Sequence, residues 1–248
     1  MRFQILLFCT TLLLFFQARA QITQPELDQL FAVFHQVYDS ELKAQNAVVV
    51  FNLGSPAIDW WGIPDPTASY SGYKDQQGIF QHNIYFFGGL AQFPLMSKDG
   101  AAQILCHEMG HAIGGAPYKL NRDHNVSIEP QADYFSTSHC LRRIFSVLPL
   151  QKEIKPISAF IQAQCQRKYS GVDDLDWCYR AFQALESERS YLRLVKINPT
   201  ETNYETPDSS VVDHINLSDE YYPSPQCRMD TLAAGVLQNP RPRCWFAE

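Results

Sequence analysis

The twelve residues Ile104-Leu105-Cys106-His107-Glu108-Met109-Gly110-His111-Ala112-Ile113-Gly114-Gly115 constrain this chain more than any other stretch. Ala101, Ala102, Ile104 and Leu105 suit a packed helix, Asp99 can cap its start, and Gly114-Gly115 offers a left-handed stop. On such a helix His107 and His111 stand about 40° apart around the axis and about 6 Å apart along it, so both imidazoles can reach one ion from one face. Glu108 flanks that ion without having to bind it, the place of a base that takes a proton from metal-bound water. The alternative is a buried helix whose two histidines only hydrogen-bond to their neighbours.

A zinc ion needs a third protein ligand. One solution of the His-Glu-x-x-His motif places a third His six residues after the second. That residue here is Pro117, so the metzincin pattern stops at Gly114. The other solution takes a Glu from a following helix. Glu129 lies in Ser127-Ile128-Glu129-Pro130-Gln131-Ala132-Asp133-Tyr134-Phe135, with Asp133 four residues on. On a helix these two acids share a face, so one can bind the metal while the other accepts a hydrogen bond from the far nitrogen of a ligand histidine.

With those residues assembled, the sequence resembles a gluzincin metallopeptidase. The His107-Glu108-x-x-His111 pattern, followed by Glu129 and Asp133 in a Glu-x-x-Ala-Asp run, is most similar to the soluble, exported relatives of the prenyl-protease-like gluzincins. A weaker match is Tyr222-Pro223-Ser224-Pro225-Gln226-Cys227-Arg228, where that group often carries a His-Pro pair and then an Arg; Tyr222 stands in the place of the His. The resemblance implies an α+β, zincin-like fold, mostly helical, with a small N-terminal β-sheet packed on the metal-binding helix. It also implies one Zn2+ per chain held by His107, His111 and Glu129, with Asp133 in support. Glu108 would be the general base in hydrolysis of a peptide bond by metal-activated water, and a late-loop donor would hold the oxyanion: Tyr222 first, then Arg228, then His214. Zincins commonly bind the substrate backbone along an edge strand just before the metal helix, and Asn83–Phe87 occupies that place in the order of elements. The expected partner is a peptide or protein substrate. A catalytically inert, zinc-stabilised binding or structural protein is the rival reading, although a pure staple has no need of Glu108. Metal hydrolysis of a non-peptide bond stays open.

Residues 1–20 begin with Arg2, run through an apolar segment from Ile5 to Phe16 and end in Ala18-Arg19-Ala20. The apolar run is short of the ~20 residues that span a bilayer, and the small residues suit a signal peptidase, so cleavage after Ala20 is expected. Residues 21–248 then form a single domain, secreted or periplasmic, with no stable membrane insertion. Removing the leader takes away two arginines and no acid, moving the formal charge from −6 to −8. A chain this acidic has no general electrostatic reason to bind nucleic acid or an anionic membrane surface. The mature cysteines are Cys106, Cys140, Cys165, Cys178, Cys227 and Cys244, an even set that export makes apt to pair. Neighbour pairing suggests Cys165 with Cys178 and Cys227 with Cys244. Cys106 points away from the metal, packed or bridged, and Cys140 is likewise bridged or packed.

The other elements follow from periodicity. Thr23-Gln24-Pro25-Glu26 is a capping box opening a helix over residues 23–44, with Leu27, Leu30, Phe31, Phe34, Val37 and Tyr38 on its apolar face. Ala47–Leu53 reads as a strand, residues 54–78 as a loop whose Trp60 and Trp61 pack or line a groove, and Asn83–Phe87 as a second strand. Helices are expected over residues 129–145, 156–169, 174–196 and 228–237. Between them, residues 198–225 form a polar loop of the kind that builds lids and cleft walls. His35, His124 and His139 read as ordinary surface or helix histidines. Asn125-Val126-Ser127 and Asn216-Leu217-Ser218 fit a glycosylation acceptor in a eukaryotic source.

Overall fold

The computed structural model describes residues 22–54, 57–120, 122–149, 154, 156–195 and 201–247. The expected leader, with its cleavage point, lies outside them. Helix α1, Gln24–Ala44, starts on the expected capping box, the Thr23 amide donating to Glu26 Oε2 at 2.8 Å. It buries Leu27, Leu30, Val33, Phe34, Tyr38 and Leu42. Strand β1, Ala47–Phe51, follows at once and lays alternate residues against α1.

The chain then contains a strand that its pattern did not announce. Residues 68–74, expected within a loop, form β2, Ala68–Lys74, antiparallel to β3, Phe80–Phe86, which also pairs in parallel with β1. The sheet order is β1-β3-β2. The segment expected as an edge is therefore the central strand, and β2 is the edge nearest the helix of His107 and His111. β2 reads Ala-Ser-Tyr-Ser-Gly-Tyr-Lys, without β-branched residues, because one of its faces is open to solvent and has no apolar run to display. Trp60 stacks on Phe87, 5.3 Å between ring centroids, and Trp61 packs against the core.

After the short helix α2, Gly88–Ala91, comes α3, Lys98–Ile113, which carries the His-Glu-x-x-His motif. Its cap is Ser97, whose hydroxyl accepts from the Gly100 amide at 2.9 Å, rather than Asp99. Asp99 lies in the first turn, where its carboxylate faces the positive end of the helix dipole and takes both arms of Arg180 at 2.8 Å. The α3 residues Gly100 to His111 are all buried, so it is the central helix of the molecule. Gly114 ends it and Gly115 adopts φ +81°, the left-handed turn expected there.

The segment that carries Glu129 and Asp133 is helical throughout but not uniform: α4, Glu129–Phe135, a π-turn over Ser136–Cys140, then α5, Leu141–Val147. Helices α6, Ala159–Lys168, and α7, Val172–Val195, follow, and α7 packs along α3. Residues 201–224 form no regular element. Helix α8, Pro225–Val236, starts three residues earlier than expected because Ser224 caps it, accepting from the Cys227 amide at 3.0 Å with Pro225 in the first turn. Three disulfides tie these parts together: Cys106–Cys140, Cys165–Cys178 and Cys227–Cys244. The last two are the neighbour pairs, and the first joins α3 to the π-turn.

The arrangement is α+β, mostly helical, with a small N-terminal sheet against α3. No described helix is long and apolar enough to cross a membrane.

Candidate metal centre

Glu129 meets the two histidines because α3 and α4 cross unusually closely. A β-carbon at Gly110 would stand 2.7 Å from Ala132 Cα and 2.8 Å from its carbonyl oxygen, so only glycine admits this approach without a shift. Across that contact His107 Nε2 lies 3.3 Å from Glu129 Oε2, and His111 Nε2 lies 3.4 Å from Glu129 Oε1. The ligand atoms of His107, His111 and Glu129 are all within 4.8 Å of one another, and all three residues are buried. Charged N–H···O pairs close to ~2.7–2.9 Å, whereas two ligands each ~2.0–2.1 Å from a tetrahedral ion stand about 3.4 Å apart. The observed separations, made to the two different oxygens of Glu129, are longer than a direct ion pair and leave room for an ion between the rings and the carboxylate.

Each histidine is turned so that Nε2 faces this point. His107 Nδ1 lies 2.7 Å from Asp133 Oδ1, and His111 Nδ1 donates to the Ser127 carbonyl at 2.8 Å. The Ser127 contact fixes the His111 tautomer that leaves Nε2 as a lone-pair donor, while Asp133 holds the His107 ring by charge at short range, outside hydrogen-bond geometry. Asp133 is itself fixed by Arg228, whose Nε and Nη2 donate to its two oxygens at 2.8 Å each.

The surrounding field calls for a cation. Burial works against charging His107, yet Asp133, Glu129 and Glu108 drive it up to about 10. Glu129 is held well below the usual carboxylate range despite its burial, through the two histidines. Asp133 is held down to about 2 against burial, by Arg228 and His107. Glu108, 5% exposed, is raised by burial, which the histidine charges only partly offset.

These groups open into a cavity of about 440 Å³. Its walls include Thr67–Gly72 of the β2 segment, Lys119, His124, Glu188, Tyr191, Tyr222 and Arg228. Of the three residues expected to hold the oxyanion, Tyr222 lies in this cavity; its phenol is pushed up to about 12 by burial and by Glu129, to which it hydrogen-bonds. Arg228 also lines it, but its fork is committed to Asp133, and Nη2 is 3.6 Å from Glu188. His214 is exposed and lies outside the cavity wall.

His35 pairs with Asp39 on α1 at 2.9 Å, and His139 stacks on Phe135, both away from the site. His124 differs from the surface role expected of it: it lines the cavity, with its ring 5.0 Å from that of Phe80 and Nδ1 2.7 Å from Asp123.

Two residues of the cavity, Lys119 and Glu188, are not singled out by the sequence. Lys119 Nζ donates to Glu129 Oε1 at 2.8 Å, and its side chain is 9% exposed. Its only clue was the placement of Val126-Ser127-Ile128 after a turn-rich run, a weak hint of the hairpin that the Tyr118–Ser127 bridge closes.

Compared with protein-family models, curated proteins and solved structures, the chain matches none of them.

Proposed function

We propose that the protein is an exported zinc peptidase of the gluzincin type, with a zincin-like fold. The observation that carries this reading is the convergence of His107, His111 and Glu129 beside a buried carboxylate, Glu108, at the floor of a cavity. A structural staple has no use for that fourth residue or for that opening. The donor set suits zinc, and His107, His111 and Glu129 would hold it. A zinc ion there supplies Lewis acidity and brings the pKa of water toward ~7.

The chain's own groups account for the rest. An extended peptide adds its backbone to the free edge of β2, and Ser69, Ser71 and Tyr73 alternate with Ala68, Tyr70 and Gly72 along that strand. Glu108 takes a proton from the attacking water as the new C–O bond forms, and delivers it to the departing amine nitrogen as the C–N bond breaks. Asp133 and the Ser127 carbonyl hold the imidazoles in place throughout. Three disulfides suit an extracytoplasmic compartment.

The test is zinc content and turnover on a broad peptide library, compared between the parent and Glu108→Gln. The expected result is equal zinc and a loss of turnover of at least ~10²-fold. A parent that holds zinc and cleaves nothing in the library would favour the inert, zinc-stabilised reading instead.

A further inference from the structure

We propose that Lys119 is a catalytic residue, the donor that meets the carbonyl oxygen of the scissile bond as charge builds on it. The proposal rests on the peptidase reading of the site. A donor of this kind has to be fixed in advance, drawn out of water and aimed at the reacting group. Lys119 is fixed and drawn out of water, and its ammonium sits in the cavity beside Glu129. Its main chain is pinned where the Lys119 amide donates to the Val126 carbonyl at 2.7 Å beside the Tyr118–Ser127 bridge. Its side chain is 9% exposed and lines the cavity together with Glu108, His107 and His111. Its ammonium lies 2.8 Å from Glu129 Oε1, which places it at the rim of the ligand set.

An ammonium carries three N–H groups, so Lys119 keeps its bond to Glu129 and still donates to a substrate oxygen. No proton leaves it. As the water oxygen bonds to the carbonyl carbon, the C=O π pair moves onto the oxygen, which draws closer to Nζ; when the C–N bond breaks, that pair returns and the amine takes its proton from Glu108. The competing donors are less well placed. Arg228 has both fork nitrogens on Asp133, His214 lies outside the cavity, and Tyr222 is 52% exposed on a segment with no regular structure.

The experiment uses the zinc-loaded protein and a phosphinic peptide, whose tetrahedral anion mimics the charged oxygen, with binding followed by calorimetry. The variants are Lys119→Met, Lys119→Arg and Tyr222→Phe, each checked for zinc stoichiometry and melting temperature. The expected result is that Lys119→Met keeps its zinc and its melting temperature but binds the phosphinate about 10²-fold more weakly. Its kcat falls by a similar factor while KM changes little, and Lys119→Arg restores most of the affinity. Undiminished phosphinate affinity in Lys119→Met overturns the proposal. So does a loss of zinc in step with affinity, which would make Lys119 a prop for Glu129, or a parent that does not bind the phosphinate. A parent that binds the phosphinate through Lys119 yet cleaves no peptide sinks the hydrolysis reading and leaves the assignment of the donor standing.

Discussion

At the scale of single residues, Asp133 bears more of the site than either of its neighbours along the helix. Its carboxylate is fully buried and holds His107 Nδ1 on one side and the Arg228 fork on the other. Asp133→Asn keeps the volume and removes the charge. His107 then loses its anionic partner, and Arg228 is left as a buried cation facing the more distant Glu188 and Glu129. Zinc affinity, read by competition with a chromophoric chelator, is expected to fall by about 10–100-fold. Stability should fall by roughly 3 kcal/mol in urea melts. An unchanged affinity would remove Asp133 from the support of the ligands. This part of the site was readable because its logic is local: His107 with His111, and Glu129 with Asp133, repeat at helical spacing, and a helix is the one element whose side-chain directions follow from counting. Lys119 was not readable for the converse reason. It lies on an irregular hairpin, where sequence distance from Glu129 says nothing about direction in space.

At the scale of elements, the crossing of α3 and α4 decides whether the ligands meet. A glycine inside a helix is ordinarily a weak point, yet the missing side chain of Gly110 is what lets Ala132 in. Gly110→Ala improves helix propensity by about 1 kcal/mol, and in an open helix it would stabilise the fold. Here the added methyl must force the helices apart, so a net loss of about 1–3 kcal/mol in thermal or urea unfolding is expected, together with weaker zinc binding. A stabilised variant with full zinc affinity would show that the contact is not limiting. Helices α1 and α7, read from their apolar spacing, and α3, read from its motif and its glycine stop, were legible nearly to their ends. β2 was not, because an edge strand with a wet face looks like a loop, and the edge was assigned instead to β3, whose apolar run belongs to a strand covered on both sides. The π-turn at Ser136–Cys140 left no trace in the pattern either, since a single widened turn barely disturbs helical spacing.

At the scale of the whole molecule, the disulfides mark which parts must stay together. Cys106–Cys140 joins the helix of the two histidines to the turn that follows Glu129 and Asp133, over a separation of 34 residues. Replacing both cysteines by alanine should cost about 2–4 kcal/mol of stability by the loop-closure argument. In urea titrations the midpoint should drop and the slope should rise, since the unfolded chain loses its cross-link; a loss of only a few tenths of a kcal/mol would mean that packing alone holds the two segments. Cys227–Cys244 does something different. It ties α8 to a tail whose Trp245 is completely buried, and the residue next to Cys227 is Arg228, which reaches Asp133 across 95 residues of chain. His107 and His111 are set by one helix, and Glu129 and Asp133 by the next, whereas the arginine that backs them comes from much later in the chain. Whatever route folding takes, the keystone of the arch is set from the far end of the polypeptide, so a chain interrupted short of its final turns would own every ligand and still lack the arginine clamp that steadies them.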